Sequence, residues 1–315
     1  MKVVIALGGN AMLKRDEPLE AEVQRQNVAR AATAIASIAR THKVVVTHGN
    51  GPQVGLLAMQ TAAYSQASPY PSDVLGAETE GMIGYMIEQE LRSILPEQQI
   101  VTLLTQIEVN LKDPAFKRPS KPIGPMFDRA KAQQLGKQHR WAMGTDGKIW
   151  RRVVPSPEPI RILEINVIRL LVASGTLVVC AGGGGIPVTV SASGVVRGIE
   201  ALIDKDLAAA LLAHELGADA LLLLTDVDAV YLGWGTNKKR ALGEVSPEGL
   251  RRHAFAPGTM KPKVDAVCRF VESGGAFAGI GRLEDAVSIL LGHCGTIVRA
   301  PATTLDFVRR PGATK

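Results

Sequence analysis

The sequence predicts an α/β protein, a three-layer α/β/α sandwich on a largely parallel central sheet with one small inserted subdomain. Three observations predict it. Short β-branched runs alternate with amphipathic stretches of helical period, the pattern of a parallel sheet covered on both faces. Glycine-rich loops follow three of the runs. The alternation is interrupted once, over residues 112–160, by a proline-rich basic segment. A chain of 315 residues, 46% hydrophobic and 21% charged, is long enough for one large domain over 1–315 with 112–160 inserted in it.

In chain order, "KVVIAL" (2–7) reads as a strand ending in glycines, and about Glu20 to Thr41 as a helix with Val23, Asn27, Val28, Ala31, Ile35 and Ile38 near helical spacing. "KVVVTHGNGPQVG" (43–55) reads as strand and loop, 76–95 holds a long helix, and "IVTLLTQIEV" (100–109) reads as one strand. In the insert, "WAMGTDGKIWRRVV" predicts a hairpin turning at Asp146-Gly147, with Trp141 and Trp150 on its two arms. The rhythm resumes with a helix at 161–174 stopped by Gly175, then "TLVVCAGGGGIPV" as strand and glycine run. Residues 188–200 read as a hairpin turning at Ser193-Gly194. A helix at 204–216 is capped by Asp204 and ended by Gly217. "DALLLLTDVDAVY" (219–231) is a buried strand, and a helix opens after Met260 with Pro262 in its first turn. A short helix near 283–291 and "GTIVRA" complete the pattern.

Composition narrows the function classes. Aromatics are 4%, too few for a base-stacking platform, so no nucleic-acid partner is expected. No stretch approaches the ~18 apolar residues of a membrane span, and the apolar run of "MKVVIALGGNAM" is too short for a signal peptide. Cys180, Cys268 and Cys294 are far apart with no C-x-x-C pair, which predicts reduced thiols in a cytoplasmic protein. Residues 112–161 hold twelve Lys and Arg against four acids, so this segment carries +8 of the +6 net and everything else sums to −2. Such a segment suggests a cover for anionic substrates or a nucleic-acid patch, against the plainer reading of a solvated loop.

The loops "GGN" (8–10), "HGNGPQVG" (48–55) and "GGGGIP" (182–187) each follow a predicted strand, so in a parallel sheet they share one edge. Glycine allows backbone N–H groups to approach an anion. Gly8, Gly9, Asn10, Gly49, Asn50 and Gly51 are therefore candidate phosphate and substrate ligands. There is no G-x-x-x-x-G-K-[ST], and "GGGGIP" fits a dinucleotide fingerprint poorly. Backbone loops need cations beside them to neutralise a transferring phosphoryl group. Lys205 and Lys263 both stand at predicted helix starts, where the helix dipole opposes a positive charge, and Lys121 lies between prolines in "RPSKPIGP". Asp206 is a candidate to orient Lys205 and Lys263 or to touch Mg2+ through water, against the plainer reading of an ordinary first-turn acid favoured by the helix dipole. Asp226 and Tyr231 in "LTDVDAVY", with Met260, are candidates for the nucleotide side, against the plainer reading of a loop cap and a rim aromatic.

Taken together, "ALGGNAML", "THGNGPQVG", "DPAFKRPSKPIGP", "CAGGGGIPV", "RGIEALIDKDLAAALLA", "LLTDVDAVYLGWG" and "GTMKPKVDA" resemble the carbamate kinases of the amino-acid kinase superfamily, from residue 3 to about 300 and in the same order. The resemblance implies the amino-acid kinase fold, reversible phosphoryl transfer between carbamoyl phosphate and ADP giving ATP and carbamate, Mg2+ carried by the nucleotide, and a homodimer. It implies that Lys205 and Lys263 neutralise phosphates and that Lys121 swings in from a protruding lid. The sequence departs from the family pattern at Asn110, Ser120, Met126 and Phe127, and Lys261 adds a cation to "GTMKP". Other readings are a paralogue or amino-acid kinase using another small carboxylate or a nucleotide monophosphate, a dehydrogenase, and a non-catalytic nucleotide-binding regulator.

Overall fold

The structure, a computed structural model, describes residues 1–300 apart from 15–16, 65–68, 147–148 and 257. Its centre is an eight-stranded sheet. The strand order is Glu244–Val245, Thr296–Val298, Phe277–Arg282, Ala220–Thr225, Lys2–Leu7, Lys43–His48, Leu177–Val179 and Ile100–Thr102. The last six run parallel to one another; Thr296–Val298 is antiparallel to Phe277–Arg282 and parallel to the edge strand.

The period of two along each strand divides the core. Val4, Ala6, Val45, Val178, Leu221 and Leu223 face one way and pack with the helices Ile165–Ala173, Lys205–Leu216 and Met260–Glu272. Val3, Ile5, Leu7, Val44, Val46 and Leu222 face the other way, onto the helices Ala21–Ala39, Ser72–Ile94 and Ala286–Leu290. This is the predicted α/β/α sandwich, and strands buried on both faces explain why they read as continuous apolar runs.

Several elements differ from the sequence reading. The stretch 100–109 is two strands: Ile100–Thr102 ends in the central sheet, and Gln106–Val109 pairs in a four-stranded sheet with Ile186–Val190, Val196–Gly198 and Pro159–Ile162. The corner is held by fully buried Thr105, whose hydroxyl donates to the Leu103 carbonyl and accepts from the Ala181 N–H, a connection that apolar periodicity cannot register. Residues 161–162 close a strand before the helix Ile165–Ala173 begins. The loop after Lys43–His48 opens a helix at once, Gly51–Tyr64, and the long helix starts at Ser72, earlier than expected. The hairpin at 188–200 forms, with Gly194 at φ +83°.

Lys121–Phe127, Ile149–Val154 and Met143–Asp146 make a separate antiparallel sheet, joined by the helix Arg129–His139. Asp146 pairs with Ile149, while Gly147 of the expected turn lies outside the described residues. Trp141 precedes its strand, stacked on His139 and covered by the Arg152 guanidinium at 4.5 Å. Arg152 also pairs with Glu200, whose carboxylate accepts from the Ser72 N–H and hydroxyl at 2.9 and 2.7 Å. That knot fastens the small sheet to the start of a main helix.

Candidate functional site

Parallel strands end together, and the first two glycine loops leave adjacent strands at that edge. The Gly8 N–H donates to the Leu224 carbonyl at 2.7 Å, and the Gly49 N–H to the Leu7 carbonyl at 3.0 Å. The loops touch: a Cβ on Gly49 would lie 2.9 Å from the Gly9 nitrogen and 3.4 Å from Cδ of Lys205. Only glycine lets the two backbones close this far beside the lysine stem. Gly9 and Gly51 are the first residues of the helices Gly9–Met12 and Gly51–Tyr64, so helix N-termini open onto the same edge.

Asn10 lies in the first of these helices, but its side chain is outside the described residues. Asn50 is buried and donates to the Thr79 hydroxyl at 2.9 Å, with Gly183 pressed against it, so it also braces the third loop. That third loop, Gly183–Gly185, has three consecutive positive φ values and leads into a strand, as the sequence suggested. A Cβ on Gly184 would sit 2.5 Å from the Ile203 carbonyl, which fixes the backbone just ahead of the Asp204-Lys205-Asp206 triplet.

The triplet opens the helix Lys205–Leu216. Asp204 is its N-cap, with its carboxylate accepting from the Asp206 N–H at 2.9 Å, and Gly217 ends it in the left-handed region. Asp206 faces inward, 3% exposed, and receives two lysines. Lys205 Nζ donates to one oxygen at 2.6 Å and Lys263 Nζ to the other at 3.0 Å. Lys121 Nζ, from the small sheet, donates to Asp204 at 2.8 Å. Lysines distant in sequence are therefore brought to one triplet, and each of its acids is engaged. Burial alone would push the Asp206 carboxyl up; the Lys205 and then Lys263 ammonium groups overcome this and hold it well below the usual carboxylate range. Burial likewise lowers Lys205 and its neighbour Lys263 repels it, while Asp206 supports its charge.

Asp226 and Tyr231 follow the strand Ala220–Thr225. Asp226 accepts from the Thr225 hydroxyl at 3.1 Å, and the Tyr231 hydroxyl donates to Asp228 at 2.9 Å. Trp234, 63% exposed, meets Tyr231 edge-on at 5.3 Å, and the Lys239 ammonium lies over both rings. Met260 begins the helix that carries Lys263 one turn later and packs on the core. The sequence reading assigns no role to Trp234, although it lies within the motif "LLTDVDAVYLGWG", nor to Lys239, which follows it in the same irregular polar loop.

It also missed His48 and Glu80, buried beneath the loops. Both Glu80 oxygens accept backbone N–H groups, Gly182 at 2.8 Å and Thr105 at 3.1 Å, and burial pushes its pKa from 4.5 up to about 8 against those bonds. His48 donates Nδ1–H to the Gly49 carbonyl at 3.1 Å, and its Nε2 has no hydrogen-bond partner. Burial pushes the imidazole from 6.5 down to about 4, with Lys205 adding to the effect.

The two groups have opposite linkage. Native Glu80 keeps a proton that the unfolded chain releases, so its contribution to stability falls as pH rises from 4.5 to 8. Native His48 refuses a proton that the unfolded chain takes, so its contribution is lost as pH falls from 6.5 to 4. The slopes oppose each other between 4.5 and 6.5, and Glu80 alone acts above that. A loss of ~2 kcal/mol is expected between pH 6.5 and 8. Thermal melts across that range should show the decline in wild type. Glu80→Gln should start from a lower Tm, because one N–H loses its acceptor, and stay flat; a parallel decline in the variant would remove Glu80 as the cause.

A family model described as the amino acid kinase family matches residues 1–278. The carbamate kinase of Rhizobium meliloti (strain 1021) is 53% identical over 311 residues, covering 98% of this chain and 96% of that protein. The carbamate kinase of Haemophilus influenzae is 51% identical, covering 98% and 99%. Among solved structures, carbamate kinase from Giardia lamblia bound to AMP-PNP is similar at TM-score 0.88 and 40% identity, covering 95% of this chain and 98% of that one.

Proposed function

The chain belongs to the amino acid kinase family, and from that premise we propose that it is a carbamate kinase, transferring phosphate reversibly between carbamoyl phosphate and ADP to give ATP and carbamate. The observation that carries the reading is the gathering of Lys121, Lys205 and Lys263 on Asp204 and Asp206, with the Lys205 stem lying against Gly49 of the second glycine loop. Near-full-length identity of 53% to a carbamate kinase supports the substrate, and an AMP-PNP-bound relative supports the nucleotide.

In the forward step a β-phosphate oxygen of ADP attacks phosphorus, the bond from phosphorus to the carbamate oxygen breaks, and carbamate leaves with that electron pair. Lys205 and Lys263 neutralise the equatorial oxygens, held in place by Asp206. The Gly9 and Gly51 amides, with Asn10 and Asn50, border the carbamate and transferring phosphoryl group; Gly8 and Gly49 shape the loops instead, because their N–H groups are given to the Leu224 and Leu7 carbonyls. Asp226, Tyr231 and Met260 border the nucleotide. Residues 112–160 act as a lid that brings Lys121 over the phosphoryl group and excludes water. Among the described residues no cluster of three or more His, Cys, Asp or Glu side chains is arranged for a metal, and Asp204 and Asp206 already hold lysines. That donor set fits Mg2+ arriving on the nucleotide as part of the substrate, where it would offset phosphate charge.

We further propose a cytoplasmic homodimer. The three cysteines are unpaired, and apolar side chains including Leu104, Tyr85 and Leu170 are more than half exposed. No helix among the described residues is long and apolar enough to cross a membrane. The deciding assay is ATP formation from ADP and carbamoyl phosphate, with and without Mg2+. Robust, magnesium-dependent formation is expected, and no ATP from this pair would reject the activity.

A further inference from the structure

We propose that Asp204 is a positioning residue for phosphoryl transfer, aiming the lid's Lys121 at the site as Asp206 aims Lys205 and Lys263. The inference rests on the carbamate-kinase reading for its kinetic consequence, but its structural core is independent of the substrate. An N-cap needs one carboxylate oxygen. In Asp204 one oxygen accepts from the Asp206 N–H at 2.9 Å, and the other receives Lys121 Nζ at 2.8 Å. The partners are 83 residues apart, and the ion pair joins the small sheet to the helix that carries Lys205. The Asp204 side chain is 16% exposed and that of Lys121 35%, so the pair sits at the mouth of the site rather than on open surface. A second brace sets the height of the same sheet, because Arg152 on the strand paired with Lys121 holds Glu200, four residues before Asp204.

The two acids divide the lysines between them. Asp206 serves the two that belong to the main body, and Asp204 serves the one that arrives with the small sheet. Three ammonium groups against two carboxylates leave the cluster cationic, as a phosphoryl dianion requires, while each lysine keeps a fixed partner. Lysine has a flexible four-carbon stem, and fixing its head before substrate arrives removes an entropic cost from the encounter.

Asp204→Asn separates this role from capping, because asparagine caps helices as well as aspartate does. The expected result has three parts. Tm stays within about 2 °C of wild type, since the cap is kept. The Lys121 amine, read by mass spectrometry after brief acetylation of the whole protein, labels about threefold faster or more once its partner is gone. Finally, kcat/KM for carbamoyl phosphate falls about tenfold while KM for ADP moves less than about threefold, and the loss disappears when Asp204→Asn is made in a Lys121→Ala background. Unchanged Lys121 labelling overturns the proposal, and so does a kinetic loss that persists undiminished without Lys121. A rise in kcat/KM also overturns it, because Asp204 would then be a resting place that competes with substrate. Should wild type make no ATP from carbamoyl phosphate, the functional reading fails, and the labelling comparison still decides whether Asp204 holds Lys121.

Discussion

Replacing Asp206 by alanine is expected to cost ~3–5 kcal/mol of stability, because it strands two ammonium groups that share one buried carboxylate. A chain of this size should register that as a fall in Tm of ~2–4 °C per kcal/mol. The loss has a chemical side as well. Asp206 supports the charge on Lys205 against burial and against Lys263, so without it Lys205 loses its proton at lower pH. The alkaline limb of the rate profile should therefore move to lower pH, and kcat near neutrality should drop ~10³-fold. Asp206→Asn keeps the shape and one acceptor, and should fall between the two. Melting curves with pH–rate profiles make the check. A variant that melts like wild type, or one whose alkaline limb stays put, would show that the acid is not what holds the lysine pair.

The fold was legible in the sequence because the strands are apolar on both faces and the helices on one, so two periodicities sort the elements. Val3, Ile5 and Leu7 against Val4 and Ala6 divide between the two cores as period two demands. What escaped was decided by single polar groups. The break at Thr105 depends on one hydroxyl bonded in both directions, and the helix at Gly51 begins inside a run that reads as loop by composition.

The site was legible in part for a different reason. Two lysines at helix starts conflict with the dipole, and that conflict with a local rule singled them out for the chemistry proposed for them. Asp204 satisfied a local rule as a cap, which concealed its second bond. His48 and Glu80 were invisible because burial, not neighbours in sequence, sets their behaviour. His48 ends a strand that looks merely apolar, and Glu80 sits within a helix among ordinary acids.

Lys205→Ala is expected to reduce kcat for ATP formation by ~10³-fold or more, while KM for ADP changes by less than about threefold. The division follows from where charge changes. The Lys205 stem runs beside Gly49 of the second glycine loop and its ammonium rests on Asp206, so in the proposed mechanism it acts on the group in flight more than on the nucleotide at rest. Folding should suffer less than in Asp206→Ala, because Asp206 keeps Lys263 as partner and no buried charge is left alone. Lys205→Arg should recover little. Asp206 gives one oxygen to Lys205 and the other to Lys263, and a planar guanidinium, which reaches for both oxygens of a carboxylate, does not reproduce that point contact. Steady-state kinetics with ADP and carbamoyl phosphate varied separately settles it. Turnover close to wild type in Lys205→Ala would remove the central cation from the mechanism, and a rise in KM for ADP at unchanged kcat would move that lysine to the nucleotide.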